Sequence, residues 1–519
     1  MKAYLILGVP LIFSSFLWAQ TPVRMDDGTQ NPNEISLCID RANPANLIAG
    51  SNINQIYISG DTGKTWSQYD AKSVHGVYGD PVLVSSKSGK IYYAHLAKNP
   101  EKKWPEWFDK IVVQYSTDAG KTFSNGAAIG FHPTKMQDKP WLNLDEWPTS
   151  PFKDRVYVSW TEFDRYKSPD PNHHSNVKIA WSDDGGDRFS NAVKVSDISG
   201  GCLDDDNSTE GATTASLPDG TLCMVWSAFG KIWFDKSKDG GKTWGKDQVI
   251  AQQIEGWEMD IQEIYRANGF PFIVCDKSQG QNRGRLYVFF GDKRLGDADE
   301  WLMWSDNQGT TWTEPMRLNT DAESNGRDQF MGHFTIDQTS GQWYALYYDQ
   351  RYGFGPKELN LTLAWGNDTS VYNYRLTPQN FHAPGKSKFF GDYISIDAHN
   401  NTVVSSWTAH FEALQLFSST LSAAQLKPHS SDKKEIKFNY ADKLLIIQYQ
   451  SGIRGEVIIK GKRLWIFPIK KTIHFDHPKE KKDELIIKIN SRIFRSIYLD
   501  LSQPESSIRE QSGVIIPKK

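Results

Sequence analysis

One eight-residue pattern recurs five times along the chain: SGDTGKTW from Ser59, STDAGKTF from Ser116, SDDGGDRF from Ser182, SKDGGKTW from Ser237 and SDNQGTTW from Ser305. The copies begin about 55 to 70 residues apart, a period that suits a four-stranded β unit with generous loops. Each copy follows a short alternating run (QIYIS, IVVQYS, VKIAWS, KIWFDKS, LMWS) and leads into an aromatic residue, so each reads as the turn of a β-hairpin. The residue types fit that duty. Asp61, Asp118, Asp184 and Asp239 supply an acceptor for N–H groups of their own turn, and Asn307 keeps one in the fifth copy. Gly63, Gly120, Gly186, Gly241 and Gly309 supply a left-handed backbone position, and Trp66, Phe123, Phe189, Trp244 and Trp312 are expected to bury against the neighbouring unit.

These turns resemble the Asp-boxes, or BNR repeats, of the sialidase superfamily, over roughly residues 33–421. The resemblance implies a β-propeller with the boxes between third and fourth strands, on the face opposite the active site. It also implies a structural role for the boxes, because the family holds hydrolases, lyases and non-enzymatic binders. Phasing the units from the boxes places first strands near Glu34, Asp80, Asp138, Glu210, Phe270, Asp328 and Asp392. The expected fold is therefore all-β, a seven-bladed propeller with six blades as the alternative. Residues 21–26 are expected to lend the seventh unit its missing outer strand and so close the ring.

The ends of the chain differ from this body. Met1 to Gln20 has a lysine at position 2 and an apolar run from Tyr4 to Trp18, which reads as a secretory signal cleaved near Ala19. No later stretch is apolar enough for a spanning helix. The propeller is assigned to 21–425 and a small β-sandwich-like domain to 430–519, from the runs EIKFNY, KLLIIQY, GEVIIK, RLWIF, ELIIKI and IFRSIYLDL. By count the segment from Lys427 onward carries about nine more basic than acidic residues, although the whole chain is nearly balanced at -3. A nucleic-acid partner is not expected from that balance, and the protein is expected to be a monomer. Four cysteines are too few to frame the fold; Cys202 and Cys223 either pair locally or stay as buried thiols like the others.

If the boxes mark one face, the loops leading into first strands lie on the other. Six of the seven carry a carboxylate there: Glu34, Asp80, Asp138, Glu210, Asp328 and Asp392. Carboxylates gathered at one mouth raise each other's pKa or bind a cation, and either serves catalysis. Arg294, Arg327 and Arg351 come from consecutive units and are candidates for gripping one anionic group, with Asp328 and Asp392 beside them. The arginine motif of the family's first inner strand has no counterpart, since that strand reads EISLCID.

In the hydrolase reading, an exo-sialidase-like glycosidase acts on an anionic glycan. Tyr393 is the nucleophile, Glu210 its base and Asp80 or Asp138 the general acid. A non-catalytic glycan or protein binder would instead use top-face aromatics such as Trp104, Trp107, Trp257 and Trp301. A uronate lyase would call on His75, His132, His333 or His382. No cofactor is required in any of these readings. The acidic run from Asp204 to Asn207 is a candidate structural Ca²⁺ site, through Asp204 and Asp206.

Overall fold

The computed structural model describes residues 21–353 and 355–426, together with six further strands between Lys437 and Asp500. The presumed signal segment and the polar stretch from Lys427 to Lys434 lie outside the described residues. By compactness the chain divides into two units, 1–426 and 427–519.

The described residues contain strands and no helix, and hence no helix long and apolar enough to cross a membrane. Between residues 36 and 422 the strands fall into seven consecutive antiparallel sets. Five are separate four-stranded sheets whose strands pair in chain order, beginning with Ser36–Ile39, Val82–Ser85, Met136–Leu144, Glu210–Ser216 and Phe272–Cys275. The sixth set begins with Gln329–Asp337 and the seventh with Ser395–His399, and the short strand Phe381–His382 pairs with both sets and merges them into one larger sheet. Here they are called sheets one to seven.

First strands of successive sheets are neighbours, and the first strand of sheet seven returns to that of sheet one, giving a closed, propeller-like order. Side-chain hydroxyls and carboxylates stitch the joins. Ser36 Oγ accepts from Leu83 N at 3.0 Å, Thr213 Oγ1 from Ile273 N at 3.0 Å, and Asp397 Oδ2 from Ile39 N at 2.8 Å. The fourth strand of sheet seven is Val23–Arg24, which pairs with Leu414–Ser422. Apolar residues of adjacent sheets interleave in the gaps, as where Phe234 meets Trp312 with ring centres 5.4 Å apart.

All five recurring turns are built alike. In each, the serine hydroxyl donates to the Asp or Asn oxygen at 2.7–2.9 Å and accepts from the glycine N–H at 2.8–2.9 Å. The same acidic side chain then takes the N–H four residues later, and Arg188, standing where the other copies have Thr, keeps that bond at 2.9 Å. Asn307 preserves the geometry by reversing one partner, its Nδ2 donating to Thr311 Oγ1 at 2.8 Å. The aromatic residues after the turns are half-buried rather than enclosed, because each wedges against the preceding sheet at its rim: Trp66 Nε1 donates to Ser418 of sheet seven at 3.0 Å.

The pairing registers fix where these turns lie. In sheet three, Asp138 aligns with Thr161 and Val177, whereas Ser182, which opens the turn, aligns with Val156 and Leu144 at the opposite end. Sheet four repeats this, with Glu210 at one end and Ser237 at the other.

The four cysteines are all free and buried. Cys202 and Cys223 do not pair, because they belong to separate apolar clusters, one with sheets two and three, the other with sheets four and five. In the second unit, Lys437–Ala441 pairs with Leu444–Gln448. Gly455–Ile459, Lys462–Ile466, Lys482–Ile489 and Arg492–Asp500 form a four-stranded antiparallel sheet.

Candidate active site

The first strands begin where the loops turn sharply into the sheets, and that turn is made with unusual backbone. Glu34, Asp80 and Lys139 sit in the left-handed region at φ 52°, 49° and 49°. For non-glycine residues this costs of order 1–3 kcal/mol each, which the surrounding packing must hold in place. In sheet three the pairing slips between Asp138 and Trp141, and this bulge re-aims Lys139 across the ring. Gly391 (φ 101°) is needed where sheet seven meets sheet one, since a Cβ there would stand 2.8 Å from Glu34 N.

The outcome is one enclosed polar cluster drawn from six sheets and the loops that lead into them. Lys139 Nζ donates to Asp392 Oδ2 at 2.6 Å, and Arg266, from the loop before sheet five, grips both oxygens of Asp392, Nε reaching Oδ1 at 2.8 Å. Arg266 also reaches Asp204 Oδ2 at 3.1 Å, and Tyr166 Oη donates to the same oxygen at 2.6 Å. Asp392 N donates to Glu34 Oε1 at 3.2 Å, while Asn52 bridges sheets by donating to Glu34 and accepting from Asp80 N at 2.9 Å. Asp80 and its neighbours Glu34 and Asp138 act on one another's carboxyl groups. Beneath the cations, Trp257 and Phe270 stack 4.4 Å apart, and Arg266 and Lys139 lie 4.6 and 4.9 Å from the Trp257 ring centre.

The electrostatics divide these acids. Burial, then the charge of Asp392, pushes Glu34 up to about 7; burial, then Glu34, pushes Asp80 up to about 7. Asp138 and Glu210 lie well above the ordinary range, through burial first and then Asp80 and Asp204 respectively. Burial would raise Asp392 as well, but Arg266 and Lys139 outweigh it and hold the carboxylate down at about 2. Tyr393 is pushed well up by burial and by the nearby charges of Asp80, Glu34, Asp392 and Asp138, and its enclosed hydroxyl has no hydrogen-bond partner. The site thus holds protonated and ionised carboxyl groups side by side near neutrality, as acid–base chemistry requires.

Of the residues expected from sequence, Asp80, Asp138, Glu210, Asp392 and Tyr393 come together. Glu210 is grouped with Asp204 and Asp138, whereas the charges acting most strongly on Tyr393 are those of Asp80 and Glu34. The arginine trio does not supply the site's cations. Arg294 is bound to Asp292 at 2.7 Å and packed on Trp301, and Arg351 is bound to Asp349 at 2.5 Å; each satisfies a carboxylate at the end of its own sheet. Arg327 has no contact with the cluster among those described, and Asp328 Oδ1 caps a loop by accepting from Ala298 N at 3.0 Å. Sequence reasoning missed Lys139 and Arg266: Lys139 follows Asp138 within Met136–Leu144, and Arg266 lies in the loop before Phe272–Cys275. Asp206 caps the loop by accepting from Trp257 N at 2.6 Å. His333 is half-buried and its Nδ1 accepts from Ile396 N at 3.1 Å, which commits its ring to joining sheets six and seven. Trp104 and Tyr265 remain about half exposed beside the mouth, Trp104 edge-on to Tyr166 and Tyr265 edge-on to Phe389.

No protein-family model and no curated protein matches the chain. Among solved structures it is similar to a protein of unknown function from Dyadobacter fermentans, at 14% identity and TM-score 0.44 over 78% of this chain and 97% of that one. It is also similar to the NanB sialidase from Streptococcus pneumoniae, at 10% identity and TM-score 0.41 over 78% and 94%. A third is an α-L-arabinanase from Penicillium chrysogenum, at 15% identity and TM-score 0.40 over 69% and 98%.

Proposed function

We propose that the chain is a secreted glycoside hydrolase of the Asp-box, sialidase-like kind, built on a seven-bladed propeller, with its chemistry centred on Tyr393 and Asp80. Secretion rests on the pattern of Met1 to Gln20, and the blade count on the seven strand sets and their cyclic order. The observation that carries the activity is the placing of an unpartnered, enclosed tyrosine hydroxyl among carboxylates of opposite protonation preference. Asp80, carrying a proton near neutrality, serves as general acid to the leaving glycosidic oxygen. Tyr393 attacks the anomeric carbon as its proton passes to Glu34 in its ionised form, the leaving oxygen takes the proton of Asp80, and water, deprotonated by Asp80, then releases the sugar from the tyrosine, which recovers its proton from Glu34.

The charge of the cluster bears on substrate class. Its two cations, Lys139 and Arg266, are already engaged by Asp392 and Asp204, and the acids outnumber them. A sugar carboxylate would find no uncommitted guanidinium there, so an uncharged sugar ring fits the first subsite better than the anionic one expected from sequence. The test is incubation with neutral glycosides, sialosides and uronate polymers, with chromatography of the products. Free sugar from a neutral glycoside supports this reading. A product with a new ultraviolet-absorbing double bond would make the protein a lyase, and saturable glycan binding with no product would make it a binder.

A further inference from the structure

Asp138, Asp204 and Glu210 each place a carboxylate oxygen within 4.8 Å of the other two. The three residues are only 6%, 4% and 0% exposed, and they come from separate places: the start of sheet three, the loop before sheet four, and the start of sheet four. One oxygen of each is occupied, Asp138 Oδ1 accepting from Lys139 N at 3.0 Å. Asp204 Oδ2 accepts from Tyr166 and Arg266, and Glu210 Oε2 accepts from Thr161 Oγ1 at 3.4 Å. That leaves Asp204 Oδ1 and Glu210 Oε1, both enclosed and without any donor. An enclosed carboxylate oxygen without a donor is costly, and a buried group of this kind calls for a positive partner.

The geometry points to a Ca²⁺ site formed by Asp138, Asp204 and Glu210, with the remaining positions left to water or ligand oxygens. Ca²⁺ binds oxygen at roughly 2.3–2.6 Å, so ligands across its shell stand about 4.6–5.2 Å apart. Three oxygens within 4.8 Å of one another therefore share one such shell without movement of the chain. An all-oxygen, all-carboxylate set selects a hard cation over zinc or copper, and Mg²⁺ demands a tighter shell and keeps more of its water. Charge balance points the same way. Six carboxyl groups (Glu34, Asp80, Asp138, Asp204, Glu210 and Asp392) meet two cations that are drawn chiefly to Asp392, so without a further positive charge several of these acids must keep their protons. The acidic run itself is not the site, because Asp205 and Asp206 spend their Oδ1 atoms on N–H groups of Asn207 and Trp257.

This inference does not rest on the hydrolase reading, and its test needs no substrate. The full chain, stripped with EDTA, is titrated with CaCl₂ by calorimetry and melted with and without the ion. One Ca²⁺ per chain and a higher melting temperature are expected. Asp204→Asn and Glu210→Gln should each weaken binding at least about tenfold and abolish the thermal shift, while Asp206→Asn stays within about threefold of the parent chain. Circular dichroism of each variant checks that it is folded, and Glu210→Gln serves if Asp204→Asn is not. Absence of saturable binding up to about 10 mM Ca²⁺ would overturn the site. So would loss of binding in Asp206→Asn alone, and preference for Mg²⁺ would overturn the choice of ion.

Discussion

Glu34 and Asp80 hold protons that the same side chains would surrender in the unfolded chain, and this sets a direction for stability against pH. Below about pH 4 both states are protonated and the difference vanishes. Between about pH 4 and 7 the unfolded chain loses protons that the folded chain keeps, so stability falls as pH rises through that window. Asp392 acts with the opposite sign: its contribution is present above the ordinary aspartate range and is lost as pH falls towards 2. Melting in EDTA from pH 5 to 8 should therefore show a declining temperature, flattened in Glu34→Gln and in Asp80→Asn. A slope unchanged in both variants would count against the raised pKa of Glu34 and Asp80. Tyr393→Phe removes a hydroxyl that bonds to nothing, so stability should change by less than about 1 kcal/mol while turnover falls at least about 100-fold. Denaturant melts and single-turnover assays check the two halves separately. Asp80, Asp138, Glu210 and Asp392 are recoverable from the linear pattern because each stands at the head of an alternating run. Arg266 is not, since nothing in YRANGF reveals that its loop folds back over Asp392, 126 residues away.

At the scale of elements, the five turns were legible because their chemistry is local: a serine, an acid, a glycine and a threonine within eight residues satisfy one another. Asp239 accepts from Ser237 Oγ, Thr243 N and Thr243 Oγ1 at 2.8, 2.9 and 2.6 Å. Asp239→Ala should cost about 1–3 kcal/mol in a denaturant melt, with kcat unchanged because the turn lies at the far end of its sheet from the cluster. Asp239→Asn should cost less, since Asn307 performs the same duty in the fifth turn. The bulge at Lys139 was not legible. The run MQDKPWLNL alternates well enough to pass as a plain strand, and only pairing against Val156–Phe163 shows the slipped register that turns the lysine inward. The half-burial of the turn aromatics has the same origin, for a hairpin corner at a rim reaches only one neighbouring sheet.

For the whole of residues 21–426, closure is the governing fact. Val23 and Arg24 pair with Ser418 and Phe417, Met25 N donates to Leu416 O at 2.9 Å, and Asp26 Oδ2 accepts from Leu416 N at 2.7 Å. Removing residues 21–32 should cost about 3–6 kcal/mol and leave Leu414–Ser422 as a bare edge. A lower melting temperature together with concentration-dependent association in gel filtration is the expected outcome; a monomer of parental stability would show that the seventh sheet does not need its fourth strand. That closing strand could be anticipated, because the seventh unit falls one strand short in sequence. The convergence of six sheets on one cluster could not, as it depends on how far each loop leans inward.

Asp26 and Leu416 are 390 positions apart, which gives the clasp a timing as well as a place. A ribosome issues the first half of the fastening early and the second only after nearly all of the body has been made. Until then the opening segment has no mate, and the disc can be assembled sheet by sheet yet stays unlocked. A chain released short of Leu414–Ser422 would keep its earlier sheets but have no way to shut, so quality control acting on unfastened discs would reject truncated products.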